Sequence, residues 1–405
     1  MNLLIRIFFL ALGCIFGVCA IQPLHAQGIA TVVSPAVNLP VDSLLQKDTV
    51  QAAPIEPRLR KSWIDKLCYG IPIGKARLLP IPAIGYNPET SFSFGLSAQT
   101  LFRFRDSSAN LSQAGITVIY TLKRQFVFEP RWRLYLGKDK FRVSGDLVFQ
   151  RYPDSFFGIG NETKSEDKQR YSAKYFMFKN RFSVRVAKSL FVGFQVRTEY
   201  MYDLRSLEEG RFFASDVNRG FSYFATGVGA LLEYDTRDNV LYPFKGSNIM
   251  FSNYCYTSYL GGNQNHWNFV IDARQFVNPF RSHVLAFQAY AEFNTGSPPF
   301  KMLAELGGSR LLRGNFKGRY RDRHFLMAQV EYRFPIWWRF IGVAFVGTGD
   351  VADKLEKLSI GDLKLSAGGG LRITLDAKER INLRFDYAFG SNGARGFYFG
   401  LTEAF

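Results

Sequence analysis

Cysteine, histidine and long apolar runs are the scarce features of this chain, and each scarcity removes a class of function. The 405 residues hold four cysteines and four histidines. Cys14 and Cys19 fall in the leader described below, which leaves Cys68 and Cys255 in unrelated contexts. Two such cysteines make neither a disulfide framework nor a zinc site. His25, His266, His283 and His324 form no His/Cys cluster and no HExxH run, and no nucleophile elbow is present. His266 and His283 lie near strand ends, but neither makes a recognisable Ser/His pair across adjacent strand ends. The chain therefore reads as a non-enzyme, with no cofactor and no metal expected.

Ile7 to Ile21 is the long apolar run, preceded by Arg6 and ended by Gln22-Pro23. It falls short of the roughly 20 residues that a spanning helix needs. Leu24-His25-Ala26 then puts a small residue before Gln27, so residues 1–26 read as a cleaved secretory signal. Neither Cys14 nor Cys19 follows a convincing lipobox.

Acidic residues are outnumbered, with a formal charge of +17. The basic residues alternate with apolar ones, as in Arg181-Phe182-Ser183-Val184-Arg185-Val186, and do not gather into one patch. In an exported chain this argues against nucleic acid as a partner. It predicts an inward-facing basic lining, plus contacts with outer-membrane lipid and lipopolysaccharide.

Proline thins out along the chain: nine of the sixteen lie in the first 88 residues. Residues 27–88 accordingly read as a Pro-rich periplasmic tail, in which Arg58 to Leu67 has the spacing of a short amphipathic helix. From Thr90 the period becomes two. Phe92, Phe94, Leu96, Ala98, Thr100, Phe102 and Phe104 fall on one face, and Ser91, Ser93, Gly95, Ser97, Gln99 and Arg103 on the other. Ile381, Leu383, Phe385 and Tyr387 alternate in the same way with Asn382, Arg384 and Asp386.

A soluble sandwich alternates too, so the sign of the faces decides. Forty Phe and twenty Tyr would have to fit its core. A lipid-facing exterior takes that aromatic load more naturally, and backbone polar groups in lipid force the sheet to close. Residues 89–405 thus predict an all-β, transmembrane antiparallel β-barrel of roughly 16 strands in a bacterial outer membrane. Gly137 to Lys140 and Ala187 to Ser189 would be periplasmic turns. Asp154 to Arg170, Asp203 to Gly220 and Phe293 to Arg323 would be extracellular loops. Phe397, Phe399, Leu401 and Phe405 share a face in sequence, the pattern of a strand that directs barrel assembly.

Four motifs in order resemble the BamA/TamA superfamily of outer-membrane assembly and translocation barrels, also called bacterial surface antigens. Asp235-Thr236-Arg237-Asp238, followed by Pro243 and Gly246, is similar to that family's turn motif. Leu312-Arg313-Gly314-Asn315 resembles its loop motif, although Asn315 replaces an aromatic, and Glu331 to Pro335 resembles the strand that follows. Gly368 to Arg372 and Leu383 to Ala388 resemble its closing strands.

The resemblance implies a sixteen-stranded barrel whose sixth extracellular loop folds into the lumen. Arg313 would be held there, beside Gly314, by Glu331. A second carboxylate belongs where Gly347 stands, so the lock rests on Glu331 alone or is remodelled, with Asp350 the nearby acid. The resemblance also implies a seam between first and last strands, here Thr90 to Phe104 against Phe397 to Phe405. POTRA modules are absent from the Pro-rich tail. The implied partners are other assembly-complex subunits and unfolded outer-membrane client proteins. The competing reading is a passive, anion-favouring pore or structural barrel.

Overall fold

Side chains that alternate between two surroundings, with turns at regular intervals, dictate strands throughout. The computed structural model describes residues 71–73, 76–87, 91–104, 109–121, 126–207 and 222–405. The signal at 1–26 and the Arg58 to Leu67 segment lie outside them.

Among the described residues there is no α-helix, only single 3-10 turns between strands. The strands run β1 Ile71–Ile73, β2 Ala76–Asn87, β3 Ser91–Phe102, β4 Ser112–Thr121, β5 Phe126–Leu136 and β6 Phe141–Phe156. They continue as β7 Gln169–Ala187, β8 Leu190–Ser206, β9 Tyr223–Asp235, β10 Gly246–Tyr256, β11 His266–Val277 and β12 Val284–Gly296. A two-residue pair follows, β13 Ala304–Glu305 with β14 Arg321–Asp322. The series ends with β15 His324–Trp337, β16 Phe340–Ala352, β17 Lys364–Asp376, β18 Ile381–Gly390 and β19 Arg395–Leu401.

Each long strand pairs antiparallel with the next: β2 through β12, then β12 with β15, then on to β19. That makes eleven long strands and five more, sixteen in all, and β19 neighbours β2. The fold is an antiparallel β-barrel. Its two ends differ. One carries tight connections such as 137–140 and 188–189, and the other carries the longer ones, including 157–168, 297–323 and 353–363.

The outer face is apolar. Phe194, Leu96, Val346 and Leu365 are more than half exposed, as are Ile336 and Trp337 at the end of β15 and Trp338 in the turn after it. The inner face of β15 buries Gln329, Glu331 and Arg333, while Val330, Tyr332 and Phe334 between them face outward. Apolar outside with charge inside inverts a soluble protein and suits a bilayer. Trp337 stacks on Phe340 at the tight-turn end, and Trp267 stacks on Phe269 at the other, the placement of two aromatic girdles.

Two sequence expectations change here. Ala76–Asn87, assigned to the tail, is a barrel strand, paired along its length with β3. Its two prolines, Pro80 and Pro82, hid it, because a proline inside a run argues against a strand except at an edge. The strand that begins at Ser91 is therefore flanked on both sides, by β2 and β4, and the first strand of the seam is β2. The second change concerns Phe405. Phe397 is exposed on the outer face, and Phe399 and Leu401 are half-buried. Thr402 then takes a left-handed φ of 67° and ends the strand. Phe405 turns inward and packs with Phe276, Val284 and Ala286 on the inner wall.

If these girdles sit at the lipid interfaces, bromolipids should quench tryptophan emission. Trp337→Phe with Trp338→Phe should remove about half of the quenchable signal. An unchanged quenched fraction would place that turn outside the membrane.

Candidate functional site

The connection from β12 to β15 folds back into the barrel as a hairpin. Ala304 pairs with Asp322 and Glu305 with Arg321, so residues 306–320 form its tip. The tip is cross-braced by backbone bonds from Leu306 N to Tyr320 O (3.1 Å) and from Gly308 N to Asn315 O (3.2 Å). Leu306, Leu312 and Tyr320 pack on the wall residues Phe325, Met327 and Val351. Apolar packing thus seats the loop, and polar contacts set its register.

Arg313 is fully buried. Its Nη2 donates to Glu331 at 2.6 Å and its Nη1 to Asp386 at 2.5 Å, while the guanidinium lies 3.5 Å from the Phe345 ring centroid. Glu331 and Asp386 stand on β15 and β18, so one side chain ties the loop to two walls. The next residue reaches a third: Gly314 N donates to the Tyr398 hydroxyl on β19 at 2.9 Å. Gly314 has φ 96°, and a Cβ there would lie 2.5 Å from the Phe389 carbonyl carbon. A glycine is required on both counts.

The carboxylates are shared further. The other oxygen of Glu331 accepts from Arg333 Nε at 2.8 Å, and the other oxygen of Asp386 accepts from Arg372 Nη1 at 2.5 Å. Arg372 Nε donates to Glu403 at 2.7 Å, and Arg333 Nη2 donates to the Phe405 carbonyl at 3.1 Å. Such a buried cluster holds only because each charge has an opposite neighbour. Removing one partner typically costs about 3–5 kcal/mol.

Asp350, the nearby acid considered for the second carboxylate, is not that group. One of its oxygens accepts from Asn161 and the other from Ser359 N at 3.0 Å, on the far face of β16. Asp386 takes the place instead, two strands along. The glycine at 347 also has a reason. A Cβ there would lie 2.8 Å from the Leu312 side chain and 2.7 Å from that of Gln329. The loop's leucine occupies the volume that an aspartate would need. Asn315 was noted only as a departure from an aromatic. It donates to Leu312 O and to Leu365 O (2.9 Å) and accepts from Ser391 N (3.0 Å), binding the loop to β17 and to the β18–β19 connection. The expected aromatic contact is supplied by Phe316, edge-on to Phe157 at 5.2 Å.

The turn motif joins β9 to β10 at the tight-turn end. Asp235 accepts from Arg237 Nε and Arg142 Nη1, both at 2.9 Å. Asp238 caps the Phe244 and Lys245 amides and accepts from Arg380 at 2.6 Å. Pro243 is buried beside the lumen, and Gly246 begins β10. Tyr242 from this turn lies 5.2 Å from the Arg333 guanidinium, so the motif forms a floor under the ion-pair cluster.

Residues 90–405 match the model of the Omp85 superfamily domain. The chain belongs to the Omp85 superfamily. Among solved structures it is similar to BamA from Haemophilus ducreyi lacking POTRA domains 1-3, with TM-score 0.53 and 13% identity over 82% of this chain and 70% of that one. CdiB from Acinetobacter baumannii gives 0.52 and 10% over 81% and 60%, and CdiB from Escherichia coli 0.53 and 10% over 82% and 62%. Against the two CdiB structures, this chain thus spans less than two thirds of their length. No curated protein matches the sequence. At these identities the likeness is one of fold.

Sequence left the lock on Glu331 alone or remodelled, and Asp386 as the second carboxylate changes the expected outcome of mutation. Arg313→Ala should expose the loop, so that trypsin cleaves at Lys317 or Arg319 on the order of a hundredfold faster, consistent with ~3 kcal/mol of lost contacts. Glu331→Gln and Asp386→Asn should each act in the same direction but less, since the other carboxylate remains. Equal protection in all three would remove the lock. Gly347→Asp should loosen the loop as well, with Leu312→Ala in the same chain restoring protection.

Proposed function

We propose that this Omp85 barrel takes part in inserting proteins into the outer membrane or translocating them across it, together with partner subunits. The observation that carries the reading is the loop held in the lumen beside a short last strand. β19 has seven residues, against 12 in β2 and 19 in β7. Fewer ladder bonds make this seam the cheapest place to part the wall. Pro80 and Pro82 are two residues apart, so their missing donors lie along one edge of β2. We assign that edge to the β19 side, where the loss weakens the seam and not the β2–β3 ladder.

An opened seam offers unpaired strand edges to an incoming client strand, which pairs by β-augmentation. The lipid-facing exterior and the family support an outer-membrane location, with lipid and lipopolysaccharide as the surrounding partners. The unfolded clients and the partner subunits are proposed from the fold's likeness to BamA and CdiB. Export through the leader at 1–26, and a Pro-rich tail read at 27–88 and cut short by the strands from Ile71, belong to the same proposal, as does the role of Phe397, Phe399 and Leu401 as an assembly signal. A second reading, an anion-favouring pore, is favoured by the lumen itself. Eleven lysines and arginines line it against eight acidic side chains.

Cysteine pairs scanned along β2 and β19, in a Cys68→Ser, Cys255→Ser background, should form disulfides that abolish assembly or secretion activity and restore it on reduction. A locked barrel with full activity would leave the pore reading. That reading in turn expects a steady, large anion-selective conductance in planar bilayers.

A further inference from the structure

The lumen holds a cavity of about 970 Å³ between the folded-in loop and the β4–β12 wall. Most of its charges are paired. Arg131 is bound by Glu129 and Asp146, Arg274 by Asp272, and Arg142 by Glu233 and Asp235. Arg133, Lys179, Arg181 and Arg310 have no carboxylate in ion-pair reach among the described residues. The Arg181 side chain donates to neutral groups, Gln195 Oε1 at 3.0 Å and Met250 Sδ at 3.4 Å.

Arg310 sits on the loop, three residues before the locked Arg313, and its carbonyl is held by Gln329 Nε2 at 2.9 Å. Its side chain faces the lumen water, as does that of Arg133 on β5. The enclosure of the lumen disfavours its charge, and the guanidinium of Arg133, followed by Arg131, Arg274 and Arg384, disfavours it further. The pinned loop backbone keeps the stem of Arg310 at the same cavity as Arg133. An anion between them relieves the repulsion and satisfies both planar N–H forks.

We propose that the lumen contains a binding site for a multivalent phosphate group, held between Arg310 of the loop and Arg133 of the β5 wall, with Lys179 and Arg181 as the flanking charge. A phosphate carries two or more charges on closely spaced oxygens, so it can meet two forks at once and offset more of the unpaired charge than the single negative charge of a carboxylate. The bound group would bridge the loop to the half of the barrel that Arg313 does not reach. The site is independent of which role under Proposed function the barrel performs, so a barrel inactive in assembly still tests it.

The probe is inorganic pyrophosphate, titrated calorimetrically into the full chain in zwitterionic detergent at 150 mM sodium chloride. Saturable binding is expected. Arg310→Gln and Arg133→Gln should each weaken it about tenfold, roughly 1.4 kcal/mol, and Lys357→Gln on an exposed loop should leave it within about twofold. The heat-shifted gel mobility of each variant confirms a folded barrel. Where a variant does not fold, pyrophosphate protection of Arg310 and Arg133 from phenylglyoxal in the unmodified protein gives the answer. Absence of saturable binding, undiminished binding in Arg310→Gln/Arg133→Gln, or absence of that protection overturns the proposal. Repeating the titration in phosphatidylglycerol vesicles separates the sources of the phosphate. Displaced pyrophosphate marks a lipid headgroup, and unchanged binding marks a soluble anion.

Discussion

Everything specific to this barrel depends on one buried cation with two carboxylates. A guanidinium inside a protein is stable only where acceptors meet its fork, and Arg313 finds them on strands that are not neighbours. The loop is therefore fixed against β15 and β18 together, and the wall between them, β16 and β17, has to make room. It does so with Gly347 under Leu312 and with Ser366, whose hydroxyl donates to the Arg313 carbonyl. A chain that places an arginine there must also place glycine and small polar residues opposite it. That is why the local sequence of four strands and one loop reads as a single unit.

The outer surface answers to a different constraint. Lipid accepts no hydrogen bonds, so each backbone group has to find a partner in the next strand, and side chains on that face have to be apolar. Phe194, Leu96 and Val346 follow from this rule and need no partner of their own. The inner face is free of the rule and carries the charges that make the molecule particular. Inside and outside are thus read by different chemistry along the same strands, one residue apart.

The period-two pattern made the barrel and its inward charges legible from residue 91 onward, because alternation is a local property; the expected sixteen strands over 89–405 came from length, and the sixteenth strand in fact lies before that range. The loop arginine, Glu331 and the turn at 235–246 were legible too, as motifs. Asp386 was quoted within a closing strand without a role, since nothing in its neighbours says that a loop 73 residues earlier will reach it. Asp350 was the acid nearest in sequence, and strand geometry turns it to the opposite face. β2 was missed because proline statistics describe strands with two partners of equal standing, and this one borders the seam. Phe405 was misassigned because a left-handed residue at Thr402 cannot be read from a β-branched side chain that ordinarily avoids it.

The splitting of Glu331 between two arginines bears on how the loop could ever leave. One of its oxygens serves Arg313 on the loop, and the other serves Arg333, which also grips the Phe405 carbonyl. Arg372 waits 3.8 Å from the oxygen that Arg313 uses. Were the loop to withdraw, that oxygen would still have a wall arginine within ion-pair reach. The loop is a bolt in a socket that keeps its own counter-charge, and it touches the last strand directly as well, through Gly314 and Tyr398.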